Sequence, residues 1–527
     1  MNKRKLERYE HLFQKMGPGQ TKTTIEHIAA AFKCSERHAR TLLKHMTDCQ
    51  WLTWSPIHGR GHKGKLHCLV EPMEACYDQV DLAIREGRYP QAHQLLSFNG
   101  REVASGLKRY LERTSRQNEA AVYAPFHRKI EVLHPHHAME RTERHLIHEV
   151  FQTLVNTKGE QVVGNLAHSW QSGQDATRWT FYLCSSATFH DHTHVTAHDV
   201  AESLSALLRS PYWRRLYDHI VQVTPTSQHS VMIALNTPDP NLPFLLTRAE
   251  TSILPRDQIR QPLAHFQAIG SGPFKVGVHS DKLLRLVRHP LFSGSCARVE
   301  KLELWIHPEW GPDKKCAENF FFLDGEEDTY TVSTKDIGDF FMLFNHVELQ
   351  TPAFKKALSA LFQHKLAPTI AWPFPVAFSY ENNNDNRAFA RMMTQVGTQM
   401  GHVPKGREVS YGQALPKQDM AIGGIRREGD RITSLVAFFK LYPYWRSTLS
   451  WSQHEDLLAT LATIRRSPSR TDQARRLDQL LQRLNEQNVL VIFQSEDLTL
   501  TVPARVRNVE INSIGWCNFA KLWVQPD

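Results

Sequence analysis

The sequence predicts a multidomain chain: a small α+β winged helix-turn-helix head, a short helical spacer and a large α/β body. Three observations carry this. Residues 1–70 hold thirteen Lys and Arg against five Asp and Glu, a net of +8 in a chain whose total is +9. Inside that stretch, short capped helices give way to two apolar runs around a Gly-rich basic tip. From about residue 121 onward, strand and helix patterns alternate through the rest of the 527 residues, long enough for more than one core.

In the head, Leu6, Tyr9, Leu12, Phe13 and Met16 fall at helical spacing, and Gly17-Pro18-Gly19 ends that helix. A second helix starts from the capping box Thr23-x-x-Glu26 and carries Ile25, Ile28, Ala29 and Phe32. Cys34-Ser35 is a turn, and Ser35 caps a third helix whose inward set is Ala39, Leu42, Leu43 and Met46. Arg37, His38, Arg40, Thr41, Lys44 and His45 are left outward, the basic and hydroxyl face of a recognition helix over 36–46. Residues 51–54 and 65–70 read as the strands of a wing, and Arg60, His62, Lys63 and Lys65 around its tip suit phosphates. The candidate DNA-binding set is therefore Ser35, Arg37, His38, Arg40, Thr41, Lys44, Arg60, His62, Lys63 and Lys65. The bland alternative is a three-helix adaptor with a solvated basic surface.

The head spans 1–71, and 72–120 reads as a spacer of two or three helices broken at Tyr89-Pro90 and Asn99-Gly100, with a homodimer contact left open. The body begins near Ala121, with Arg128–Leu133 as its first strand and Met139–Leu154 as a helix. No export signal follows the basic amino terminus, and no apolar run approaches a membrane span, so a cytoplasmic protein without a membrane partner is expected. Eight scattered cysteines without a C-x-x-C pair fit a reducing compartment.

The most ordered signal lies in residues 164–208. It runs from Asn165, Leu166, Ala167, Ser169 and Trp170 to a strand with Trp179, Phe181 and Leu183. The turn Phe189-His190-Asp191 follows, then a helix opened by Thr196-x-x-Asp199 with Val200, Leu204, Leu207 and Leu208 on its apolar side. Further on come Gly270-Ser271-Gly272-Pro273-Phe274, Arg288-His289-Pro290-Leu291-Phe292 and a closing segment from Val489. This order resembles the extracytoplasmic solute-binding proteins of family 5, over roughly 121–524. The resemblance implies a two-lobed α/β, periplasmic-binding-protein-like body (type II) at 121–527, with a lobe crossover near 335–350. Together with the head, and with residues 34–54 and 505–524, the chain resembles the SgrR-type transcriptional regulators. That family implies a small-molecule ligand, a response to sugar-phosphate accumulation and a double-stranded DNA partner.

Cleft candidates on this reading are Trp213, Trp372, Gly423, Arg426, Arg427, Tyr444, Trp445 and Arg446, the arginines being suited to a phosphate. Each also reads as core aromatic or solvated cation. The aspartate that anchors a peptide amino terminus in transport relatives has no identified counterpart, so sugar phosphate and short peptide both stay open. His190, His192 and His194 alternate, and His134, His136, His137, His145 and His148 cluster, but the first group falls on a family turn that holds no metal, so none is expected. Neither a cofactor motif nor a catalytic signature (G-x-S-x-G, G-x-x-x-x-G-K-[ST], H-E-x-x-H) is present, which points away from an enzyme. The competing reading is a cytoplasmic solute- or peptide-binding protein whose basic head binds RNA, a membrane or a transporter.

Overall fold

The computed structural model describes residues 3–57, 63–117, 120–308, 328–334, 339–364, 372, 374–382, 384–399, 403–409, 418–425, 428–442, 444–494, 498–512 and 515–525. The head consists of α1 (Lys3–Met16), β1 (Gly19–Thr23), α2 (Ile25–Phe32), α3 (Glu36–Asp48), β2 (Leu52–Ser55) and β3 (Gly64–Cys68). The strands form one antiparallel sheet in the order β1-β3-β2. Gly17 and Gly19 take φ values of 77° and 86°, which turn the chain out of α1 straight into β1. That strand escapes a search for periodicity because GQTKT buries only Thr23. It also moves the next cap: Thr24, not Thr23, accepts the His27 amide at 3.3 Å. Tyr9 fixes α1 to the base of the wing, its hydroxyl donating to the carbonyls of Trp51 (2.8 Å) and Val70 (2.5 Å).

The spacer is α4 (Pro72–Arg85), α5 (Tyr89–Leu96) and α6 (Val103–Gln117), broken where Gly87, Asn99 and Gly100 adopt positive φ. Head and spacer share a single apolar core, from Leu6 through Leu42 and Val80 to Leu111. That core continues into the body through Ala121, Tyr123, Leu283 and Trp305.

β4 (Ala121–Phe126) makes the junction. All six of its residues are buried, and they alternate: Ala121 and Tyr123 join the spacer's core, while Val122, Ala124 and Phe126 join that of the first lobe. The sequence pattern places the first strand at Arg128–Leu133 instead. That stretch is coil, anchored by Ile130 and Leu133 in the core and by Arg128, which pairs with Glu143 at 2.7 Å. A strand buried on both faces has no polar alternation, and Pro125 masks it further.

The first lobe has two sheets. α7 (Arg141–Val150) and the hairpin β5 (Val155–Lys158) and β6 (Gln161–Gly164) lead to the first, in the order β7-β8-β10-β9, with β7 at Ala167–Ser172, β8 at Arg178–Leu183, β9 at Ile220–Ser227 and β10 at Ser230–Leu235. α8 (Ala197–Arg209) packs on it behind the expected Thr196/Asp199 capping box. After the short helices α9 (Leu242–Leu245) and α10 (Arg256–Ile259) comes the second sheet, β11-β12-β13-β4, from β11 (Phe274–His279), β12 (Leu283–Arg288) and β13 (Lys301–Ile306). Gly270 and Gly272 press against the end of α7, where an added Cβ would sit 2.1 and 2.8 Å from the Val150 carbonyl oxygen.

β14 (Thr329–Thr334) precedes the crossing, and β15 (Asp339–Phe344) already lies in the second lobe. That lobe wraps α11 (Pro352–His364), α12 (Asn384–Gln399), α13 (Arg431–Leu441), α14 (Trp445–Thr448), α15 (Trp451–Arg466) and α16 (Arg470–Glu486) around a five-stranded sheet. Its order is β17-β16-β18-β15-β19, from β16 (Ala377–Glu381), β17 (Lys405–Val409), β18 (Met420–Ile425) and β19 (Leu490–Gln494). The chain returns through β20 (Leu498–Pro503), which pairs with β14. Two strands side by side thus lead into and out of the second lobe, the connection a two-lobed clamp needs. Among the described residues, no helix is long and apolar enough to cross a membrane.

Candidate DNA interface and lobe junction

Ser35 caps α3, accepting the His38 amide at 3.4 Å. Lys33, in the left-handed region at φ 52°, ends α2 and makes the tight turn between the two helices. Ala39, Leu42, Leu43 and Met46 are buried, so Arg37, His38, Arg40, Thr41 and Lys44 project into solvent as one face. Arg40 touches Glu36 at 3.2 Å, with both side chains about half exposed (62% and 49%), a contact that a stronger anion can replace. His38 is held 2.5 Å from Arg8 of α1, which adds a cation to the same surface.

On the wing, Lys63 and Lys65 are exposed, whereas Arg60 and His62 lie outside the described residues. Two further wing residues, Lys22 and His67, carry no signal in the sequence pattern. Lys22 stands directly opposite Lys65 across β1 and β3, and His67 stands opposite Gln20 and Thr53. Facing lysines repel and weaken the pairing. Only the register of β1 discloses this apposition. Gly64 admits this wing: a Cβ there would meet the Trp54 ring at 2.5 Å.

The spacer carries this surface on the first lobe. His93 of α5 stacks on Trp305 (6.1 Å between centroids) and on His307 (6.0 Å), and Tyr110 of α6 meets Trp305 edge-on.

Of the cleft candidates, Arg426 and Arg427 lie outside the described residues. Trp213 is fully buried in the first lobe and donates to the His136 carbonyl at 2.8 Å. Trp372 packs on Phe354 in the core on one face of the second-lobe sheet. Tyr444 and Trp445 pack with Phe341, Phe438 and Phe439 on the other face, and Arg446 is exposed. Gly423 lies in mid-β18, where a Cβ would meet Phe341 and Glu381 at 2.9 Å. The described candidates do not converge on one surface.

What does converge at the lobe junction is a buried ionic cluster. Arg144 of α7 donates through Nε to Glu428 at 2.6 Å, and its Nη2 contacts both Glu428 and Glu250. Its guanidinium lies 5.4 Å from the Trp213 ring centre. Arg248 donates to Glu250 at 2.6 Å and stands 3.7 Å from Glu428. Glu428, from the second lobe, also accepts the Ala249 amide at 2.7 Å and faces His148 at 3.2 Å. Tyr217 donates to Glu250 at 2.9 Å. Burial opposes ionisation of both carboxylates, but the arginines overcome it and hold Glu428 well below the ordinary carboxylate value, with Glu250 lowered too. At the rim, Asp218 of the first lobe pairs with Lys440 (2.7 Å) and Arg465 (2.8 Å) of the second. Beside them, a narrow interlobe crevice of about 40 Å³ is lined by Asp239, Asn241, Thr433, Arg465, Arg470 and Gln473, among others.

Four of the clustered histidines, His134, His136, His145 and His190, are held in the interior. His190 accepts the Gly270 amide at 3.1 Å and faces the Gly272 carbonyl at 3.2 Å, which requires a neutral ring. Burial pushes it down to about 3, and likewise His134 and His145 to about 3 and His136 to about 4. A lowered histidine is neutral when folded and protonated when unfolded below its ordinary value, so its stability is complete above about pH 6.5 and lost as pH falls. The acid limb of His190→Gln should therefore be shallower than wild type by one proton, about 1.4 kcal/mol per pH unit. Urea unfolding between pH 7 and 4 checks this; equal slopes would show that His190 is not buried neutral. Among the described residues, no group of His, Cys, Asp or Glu is placed to hold a metal ion.

Comparison with known proteins matches two separate stretches of the chain. Residues 4–118 match the family described as sugar transport-related sRNA regulator N-term, and residues 161–337 match bacterial extracellular solute-binding proteins, family 5 middle. Over 559 residues, the chain is 24% identical to the HTH-type transcriptional regulator SgrR of Yersinia pestis (strain Pestoides F), covering 99% of this chain and 98% of that one. It is 30% identical over 291 residues to the protein of that name from Escherichia coli O1:K1 / APEC, covering 54% and 51%. Among solved structures, the oligopeptide-binding protein AppA of Bacillus subtilis in complex with a nonapeptide aligns at TM-score 0.62 and 12% identity, covering 77% of this chain and 99% of that one. The periplasmic binding protein AgaA in complex with agropinic acid, from A. tumefaciens R10, aligns at 0.60 and 14%, covering the same shares. At these identities the likeness shows the fold of the body.

Proposed function

We propose, from the SgrR-type pairing of a helix-turn-helix head with a family 5 solute-binding domain, that this chain is a ligand-responsive, DNA-binding transcriptional regulator and not an enzyme. It acts in the cytoplasm, where its DNA is. The observation that carries the reading is the exposed face of α3, with Arg37, Arg40, Thr41 and Lys44 aligned beside a lysine-bearing wing. α3 enters the major groove, where Arg37 and Arg40 reach base edges and Lys44, Lys63, Lys65 and Lys22 neutralise phosphates.

The sensor is the two-lobed body, and its ligand is a small solute held between the lobes. The solute is a sugar phosphate or a short peptide, and a homodimer would set the spacing of two half-sites. Lobe motion reaches the head through the core shared by β4, Trp305 and the spacer. Full switching from 1:99 to 99:1 needs about 5.5 kcal/mol of differential affinity, so a partial bias is the expected response to a small metabolite.

Competition binding tests the reading. Labelled DNA from upstream of the chain's own gene should be displaced by the same unlabelled sequence far better than by unrelated DNA of equal length. Equal displacement by both, or by RNA, would favour a nonspecific polyanion-binding head.

A further inference from the structure

Among the described residues, the groups that grip the Glu428 carboxylate belong to the first lobe: Arg144, Arg248, His148 and the Ala249 amide. Glu428 itself comes from the second lobe, on the loop between β18 and α13, where Gly429 takes φ +75° and lies against Thr247. Without Glu428, the first lobe would hold two buried arginines against one carboxylate, Glu250. One positive charge would be left uncompensated in a site shut off from water, a costly state. Arg248 Nη1 is buried and has no hydrogen-bond partner among the described residues even with Glu428 in place, so the cradle has donor capacity in reserve. His148, 27% exposed, forms the edge that meets solvent.

We propose that Arg144, Arg248, His148 and the Ala249 amide form a binding site for a carboxylate-bearing solute, which Glu428 fills from the second lobe as a built-in occupant. The charge balance selects the class. A carboxylate restores neutrality, whereas a phosphate dianion overshoots by one charge. Solute and Glu428 compete for the cradle, so an external carboxylate releases the second lobe from the lobe that carries the head. The inference rests on the sensor reading above and names the ligand chemistry of its first lobe.

Chemical rescue in the full chain tests it. Glu428→Ala should lower the melting temperature by about 5 °C or more. Sodium acetate should restore most of that loss, while sodium chloride at matched ionic strength does not and inorganic phosphate does so less well. Wild type, whose cradle Glu428 already fills, should gain no stability from acetate. If acetate and chloride act alike on Glu428→Ala, or if the substitution leaves the melting temperature unchanged, the proposal is overturned. Phosphate rescuing better than acetate would overturn the assigned class. Should Glu428→Ala fail to fold, Glu428→Ser likewise vacates the carboxylate position while keeping a polar group on the loop. The same three salts are then compared on that variant, and each outcome counts for or against the proposal as before. Promoter competition run on the same samples reports the regulator reading separately, because it depends on the head and each result can fail alone.

Discussion

Operator binding by this chain should weaken several hundredfold between 50 and 200 mM salt, and Arg40→Ala with Lys44→Ala should abolish it at either salt concentration. The salt effect follows from counterion release: about five phosphate contacts give a log-log slope near −4.5. Lys22, Lys44, Lys63 and Lys65, with the cations of α1, are enough to make them. Arg40 acts differently. Its place on the exposed face of α3 lets it read a guanine edge, so Arg40→Ala alone relaxes sequence preference, while Lys44→Ala alone weakens all sequences alike and lowers the salt slope by about one. Neither side chain packs in the core, and the one salt bridge made by Arg40 is exposed, so thermal unfolding should stay unchanged. Fluorescence anisotropy across a salt series, with calorimetry on the same variants, measures both. Loss of folding in either variant would mean that the helix face is assigned backwards.

The second large effect lies at the lobe junction. Arg144→Met should destabilise the body by about 3–5 kcal/mol, because it strands Glu250 and Glu428 together in a buried site. Adding Glu428→Gln should recover a large part of that loss, since a neutral amide removes the stranded charge; the double-mutant cycle thus has a strong coupling term. The pH dependence follows from the same cluster. Glu428 is held well below its ordinary value, so its stabilisation is present above that value and lost as pH falls through the folded one. In Arg144→Met this acid sensitivity should shrink. Urea unfolding followed by circular dichroism at pH 7 and at pH 4 reads both effects, and a single substitution without measurable cost would place the arginine outside any interlobe bond.

The head was legible because its information is local. Caps, helical spacing and a charge run can be read within seventy residues, and α3 with its outward cations follows directly from them. What escaped was β1, five residues with one buried side chain, and with it the apposition of Lys22 and Lys65. β4 escaped for the opposite reason, being buried on both faces and lacking alternation.

The lobe junction was not legible at all. Arg144, Arg248 and Glu428 are separated by a hundred or more positions, and α7 buries Glu143, Arg144, His145 and Glu149, charged and polar residues that a linear pattern assigns to solvent. Aromatic clustering drew attention instead to Trp213, Trp372, Tyr444 and Trp445, which the fold uses to fill its cores. Trp213 still touches the junction, as the ring beneath the Arg144 guanidinium.

The central claim is that a DNA-reading head is seated on one lobe of a solute clamp, so that the solute alters how the head meets its operator. DNase footprinting on the region upstream of the chain's own gene, with and without small carboxylates, hexose phosphates and peptides, tests it most directly. A discrete protected site should appear, and its occupancy should change with one class of solute. Uniform protection along the whole fragment, or a footprint indifferent to every solute while Glu428→Ala leaves it equally unchanged, would contradict the account.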